Sequence, residues 1–253
     1  MQIKKHIPNV ITCGNLVCGC VAILQIFEGN MVLASYLVGL AAVLDFFDGF
    51  AARLLKVSSP IGKDLDSLAD MVTFGVVPGL IMHRMLQIGY LVNHQDYEVV
   101  IRNQWMVYIP LLIPVFSAVR LAKFNNDTRQ TEAFIGVPTP ANAILICSIP
   151  LIVNWDTQFD LKHCGIIHFL IHPYAILGLS VLMSYLLVAE LPLFSLKFKQ
   201  FGWKGNEIRF VFLALSLVSL IVFQFLGLTI AIVLYIVLSL VNNLFFKPKT
   251  QSN

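Results

Sequence analysis

The sequence predicts an all-α, polytopic transmembrane helix bundle. It has a six-helix core followed by a C-terminal two-helix hairpin, about eight spans in all. Three observations predict it. First, 58% of the 253 residues are hydrophobic and only 12% charged, with a mean hydropathy of +0.81, whereas a soluble domain is about a quarter charged. Second, apolar runs long enough to cross a bilayer recur along the chain, without the short alternating segments of a membrane β-barrel. Third, the cationic residues fall into loops in a one-sided pattern.

The first span lies near 8–27, just after Lys4 and Lys5. That start resembles a secretory signal, but no small-residue cleavage pattern follows and the chain never turns soluble, so the run is expected to be retained. The second span lies near 31–55, the third covers roughly 64–90, the fourth 104–124 and the fifth 138–154. The sixth, 166–194, is overlong, and Pro173 is expected to bend or start it. Spans near 209–226 and 228–246 form a tight hairpin turning at Gly227. Eight spans place both termini on one side. That side then carries fourteen of the seventeen Lys and Arg residues, leaving Arg84, Arg102 and Lys162 opposite. The termini are therefore expected in the cytoplasm, with the cell (inner) membrane as the location.

The remaining composition excludes more than it assigns. The five cysteines, Cys13, Cys18, Cys20, Cys147 and Cys164, match no zinc spacing and read as small hydrophobes. A formal net charge of +3 gives no basic footprint for nucleic acid. His168 and His172 stand four apart but on the outer side, with no acid nearby. The sequon Asn126-Asp127-Thr128 falls on the cytoplasmic side and is not expected to be glycosylated.

One stretch breaks the apolar rule. "LDFFDGFAARLLKVSSPIGKDLDSLAD", residues 44–70, holds Asp45, Asp48, Asp64, Asp66 and Asp70. Asp45, Asp48, Gly49, Ala52 and Arg53 share one helical face, and Asp66 and Asp70 are an i, i+4 pair with Gly62 one turn earlier. "KVSSPI" reads as the turn between the two helices. The helices then run antiparallel and direct both acidic faces at one cleft at the cytoplasmic end. Four facing carboxylates repel one another, and divalent cations such as Mg²⁺ or Mn²⁺ neutralise them. A metal pair held this way suits phosphoryl transfer. Gly49, Ala52 and Gly62 leave room for a flat or bulky ligand, and Arg53 can pair with phosphate. The competing reading is an ion path or a structural cluster. Asp64 lies off the series and is expected to be solvated or paired with Lys63.

Asp45-x2-Asp48-Gly49-x2-Ala52-Arg53-x8-Gly62-x3-Asp66-x3-Asp70 resembles the signature of the CDP-alcohol phosphotransferase family, with every fixed position present. The resemblance implies that the four acids hold two metal ions and that Asp70 deprotonates the acceptor alcohol. It also implies that Gly49, Ala52 and Arg53 face the nucleotide. "SPIGKDLDSLADMVTFGVVPG", "RLAKFN" (Arg120–Asn125) and "GVPTPANA" (Gly136–Ala143) look like blocks of the serine-using branch of bacterial and archaeal type. Thr73 and Val77 replace a usual Ser and Ala there. This branch implies CDP-diacylglycerol and L-serine as substrates, the lipid bilayer as setting and a possible homodimer.

Arg120 and Lys123 either bind the diphosphate or the serine carboxylate, or anchor the span at lipid headgroups. Thr139 and Asn142 either hydrogen-bond a zwitterion or cap a helix. Lys63 is near enough to reach a phosphate. Residues 1–200 are expected to form the catalytic domain, and 201–253 the hairpin and tail. Two rivals stand beside this reading. One is a related enzyme using glycerol phosphate or inositol; the other is a non-enzymatic carrier of divalent cations.

Overall fold

The computed structural model describes residues 3–57, 59–93, 104–126, 134–159, 164–194, 202 and 206–245. The described residues are helical almost throughout. In order come α1 (Ile3–Phe27), α2 (Met31–Leu55) and α3 (Pro60–Asp70). A π-helical segment (Met71–Val76) joins α3 to α4 (Val77–Asn93). A 3₁₀ segment (Gln104–Leu111) leads into α5 (Leu112–Asn126), followed by α6 (Thr139–Phe159), α7 (Cys164–Leu170) and α8 (Pro173–Val188). The hairpin is α9 (Glu207–Phe223) and α10 (Phe225–Phe245). One two-residue antiparallel pair, β1 (Phe134–Ile135) and β2 (Pro192–Leu193), sets Phe134 opposite Leu193.

Among the described residues, five helical stretches are long and apolar enough to cross a membrane: His6–Phe27, Met31–Leu55, Pro60–Val92, Trp105–Asn126 and Phe225–Asn243. The helical elements otherwise follow the expected spans, with one correction. The overlong sixth span is divided into α7 and α8 at Pro173, which starts α8 as expected because it cannot continue α7. The hairpin does not turn at Gly227. It breaks at Gln224, whose φ of 50° ends α9. Gly227 sits inside α10, where an added Cβ would lie 2.3 Å from the Ser219 carbonyl oxygen, so glycine is needed for close packing rather than for the turn. Of the residues in the charge argument, Arg102, Arg129, Lys162, Lys197, Lys199, Lys204, Lys247 and Lys249 lie outside the described residues.

Lipid offers apolar side chains no gain from leaving water, so helices associate through close packing and polar contacts. The α1–α2 pair shows this, with Ala22, Ala34 and Ala41 fully buried and Phe27, Phe46 and Leu54 facing outward. Phe74, Ile81, Met82, Ile113, Ile146 and Ile176 build the centre from α4, α5, α6, α8 and the π segment. The hairpin is tied to this core: Ser148 and Thr229 hydroxyls are 2.6 Å apart, and the Tyr235 hydroxyl donates to the Phe194 carbonyl at 3.0 Å.

The α2–α3 turn brings the acidic stretch together. Lys56 ends α2 in the left-handed region, with φ 52°. Ser59 caps α3 by accepting from the Gly62 amide at 3.0 Å, and Pro60 fills the first helical turn. Ser59→Ala is expected to cost about 1 kcal/mol of stability, read as a lower thermal midpoint in detergent; an unchanged midpoint would show that the cap contributes nothing.

Candidate active site

The first turns of α1, the last turns of α2 and the start of α3 meet at one end of the bundle. They enclose a cavity of about 250 Å³. Its lining includes Pro8, Asn9 and Thr12 from α1, Asp48, Gly49 and Ala52 from α2, and Gly62, Lys63 and Asp66 from α3. Gly49, Ala52 and Gly62 contribute little bulk, which is what leaves the space open.

The carboxylates of Asp45, Asp48 and Asp66 each offer an oxygen within 4.8 Å of the others. Asp45 and Asp66 thus face one another across the helix pair. Asp70, one turn beyond Asp66, is buried and within electrostatic range of the other three. One oxygen of Asp66 is buried with no hydrogen-bond partner. Such an atom is costly in a low-dielectric interior unless a ligand satisfies it. Hard oxygen donors at this separation form a donor set for a divalent cation, so the residues fit a metal.

The acids are held from α1. The Thr12 hydroxyl donates to Asp48 at 2.6 Å, and the Asn15 amide donates to Asp70 at 3.2 Å. The Thr73 hydroxyl in turn donates to the Asn15 backbone carbonyl at 3.2 Å. Sequence reasoning singled out none of Asn9, Thr12 and Asn15. Their signal was present as polar residues three apart in an apolar span, which places them on one inward face.

The other expected residues divide into two groups. Lys63 lines the cavity, and its ammonium donates to the Asn125 carbonyl at 2.8 Å rather than reaching Asp64. Asn125 also donates to Ser67 at 2.7 Å, so α3 and α5 are laced together beside the cavity. Arg53, next to cavity-lining Ala52, is exposed. Arg120, Thr139 and Asn142 lie deeper and do not line the cavity. Arg120 is buried, donates to the Thr139 hydroxyl at 3.4 Å and lies within electrostatic range of Asp70. Asn142 shares a face of α6 with Thr139 and is fully buried, with both side-chain polar atoms unpartnered. Arg120 Nε and the Ser117 hydroxyl are unpartnered too. Lys123 is exposed, as is His168, whose ring centroid is 6.1 Å from that of His172.

A model of the CDP-alcohol phosphatidyltransferase family matches residues 5–189. The chain belongs to this family. A Helicobacter pylori (strain J99) protein named CDP-diacylglycerol–serine O-phosphatidyltransferase is 32% identical over 250 residues, covering 97% of this chain and 94% of its own length. The protein of the same name from Bacillus subtilis is 31% identical over 169 residues, covering 66% of this chain and 87% of its own. One from Methanocaldococcus jannaschii is 28% identical over 149 residues, 58% of this chain and 62% of its own. In this CDP-alcohol phosphatidyltransferase family member, the matched region contains α1 from Lys5 onward, α2, α3, every acid of the cluster, Arg120, Thr139 and Asn142.

Proposed function

We propose that the chain transfers the phosphatidyl group of CDP-diacylglycerol to the hydroxyl of L-serine, giving phosphatidylserine and CMP. One observation carries the reading: three carboxylates converge at a cavity whose walls are kept small by Gly49, Ala52 and Gly62. The relatives' shared name supports serine as the acceptor.

Asp45, Asp48, Asp66 and Asp70 would hold two divalent cations, Mg²⁺ or Mn²⁺, which when bound neutralise diphosphate charge and act as Lewis acids. The cavity beside Gly49, Ala52 and Gly62 admits the cytidine diphosphate head while the acyl chains stay in lipid. Arg53 and Lys63 stand at its edge as cations for phosphate. Asp70 takes the proton of the serine hydroxyl. The hydroxyl oxygen then bonds to the phosphorus that carries diacylglycerol, the phosphoanhydride bond breaks, and CMP leaves with the electron pair. Asp70 suits the base role because it stands apart from the tight trio and is the least committed to holding a cation. Arg120, Thr139 and Asn142 form the acceptor side, where Arg120 can take the serine carboxylate. The charge asymmetry supports a cytoplasmic cleft at the cell membrane, and residues 1–200 as the catalytic unit.

Purified protein in CDP-diacylglycerol micelles with Mg²⁺ or Mn²⁺ is expected to release CMP with L-serine. CMP release with glycerol phosphate or inositol instead would overturn the acceptor assignment. Metal flux into liposomes without CMP would overturn the enzyme reading. Asp70→Asn is expected to lower turnover by about 10²–10⁴-fold, the usual contribution of a general base, while metal binding persists. Near-normal turnover in that variant would remove Asp70 as the base.

A further inference from the structure

Asn15 stands fully buried on α1, one helical turn deeper than Thr12 on the cavity-lining face. Its two polar atoms are in different situations. A carboxylate only accepts hydrogen bonds, so the carboxamide must present its NH₂ group to Asp70. That fixes its orientation and leaves Oδ1 as the other end. Oδ1 is buried and has no partner. Interiors rarely leave a carbonyl oxygen in that condition.

The position of Asn15 is also built rather than incidental. Its backbone carbonyl accepts from Thr73. Gly19, one turn on, lets α1 approach so closely that a Cβ there would stand 2.4 Å from the Thr73 hydroxyl. Thr73 belongs to the π segment that begins right after Asp70. Such segments insert an extra residue into a helical turn and are frequent at functional sites. Here the insertion and the close approach together hold Asn15 against Asp70. Arg120, on α5, also lies within electrostatic range of Asp70. Arg120 Nε and both polar atoms of Asn142 are, like Asn15 Oδ1, buried and unpartnered. Asn15 and Arg120, each with a buried unpartnered atom, are thus the two polar residues set against the acid that would receive the acceptor's proton.

We infer that Asn15 positions Asp70 through its amide and receives the ammonium group of the amino-acid acceptor on its free carbonyl oxygen. This rests on the proposed reaction with serine and extends it to a residue outside the family signature as quoted above. The chemistry is complementary: the acceptor carries a carboxylate and an ammonium on the carbon beside its hydroxymethyl group, so it needs a cationic donor for the one and a hydrogen-bond acceptor for the other. The Arg120 guanidinium supplies the donor and Asn15 Oδ1 the acceptor. Asn15 is a positioning residue with respect to Asp70 and a specificity residue with respect to the acceptor.

The test uses full-length protein in CDP-diacylglycerol micelles with Mg²⁺ or Mn²⁺. Two acceptor-like probes are included: 3-hydroxypropionate, which is serine without the amine, and ethanolamine, which lacks the carboxylate. Asn15→Ala is expected to raise the KM for L-serine by about tenfold or more, the loss of a hydrogen bond to a charged group. It should also lower kcat, because Asp70 loses its orientation. Weakened inhibition is expected for ethanolamine and not for 3-hydroxypropionate. The KM for CDP-diacylglycerol should stay within about twofold. Asn15→Ser, made in parallel, should show the same pattern if the alanine variant fails to purify. An unchanged serine KM overturns the inference, as does an equal shift in both probes and both substrates, which is the pattern of a structural residue. Wild-type protein that releases no CMP with serine overturns the parent reaction and the ammonium contact together. Serine activity that is insensitive at Asn15 overturns the inference alone.

Discussion

Asp66→Ala is expected to cut serine-dependent CMP release by about 10²–10³-fold, the range seen when one preorganised electrostatic group is removed from a reacting centre. Asp66 is central to the cluster. It belongs to the trio within 4.8 Å and keeps one buried oxygen without a protein partner. Removing it leaves Asp45 and Asp48 on α2 with no carboxylate of the trio facing them from α3. The metal concentration for half-maximal rate should therefore rise along with the loss of turnover. Asp64→Ala is the control. Asp64 is exposed, two residues away and outside the cluster, so its loss should leave activity near wild type. Activity of Asp66→Ala close to that of Asp64→Ala would mean that the converging acids do not build the reaction site.

Gly19→Val is expected to lower both the thermal midpoint and turnover. The added carbons would meet Thr73 Oγ1 at 2.4 Å and Thr73 Cα at 3.1 Å. The second atom is backbone, so α1 and the π segment must separate. Overpacking of this kind costs about 1–3 kcal/mol, and the separation also stretches the Asn15 contact to Asp70. Gly39→Val on α2 is the comparison, since a Cβ there meets nothing within 4 Å. Gly39→Val is expected to unfold near the wild-type temperature. Equal tolerance at the two positions would show that α1 does not press on Thr73.

The two acidic helices and the turn between them were readable from residue spacing. Helical period places Asp45 and Asp48 on one face and Asp66 and Asp70 on another, and Ser-Ser-Pro marks the reversal. The apolar runs likewise marked the helices, because a bilayer imposes length and composition on any helix that crosses it. The details that failed were those set by contacts between segments. Gly227 looked like a turn residue, yet its role is to let α10 close on Ser219. Glycine serves bends and close approaches alike, and local pattern does not tell them apart.

What followed from the chain alone was therefore the bundle, its acids and the helix faces that carry them, since these depend on periodicity and on the high cost of charge in lipid. What required the folded molecule was the supporting shell. Thr12 on Asp48, Asn15 on Asp70, Lys63 on the Asn125 carbonyl and Arg120 on Thr139 each join residues 19 to 62 positions apart. The π segment after Asp70 belongs with them. Sequence spacing specifies neighbours within a helix; which helices touch, and at what height, is settled by packing across the bundle.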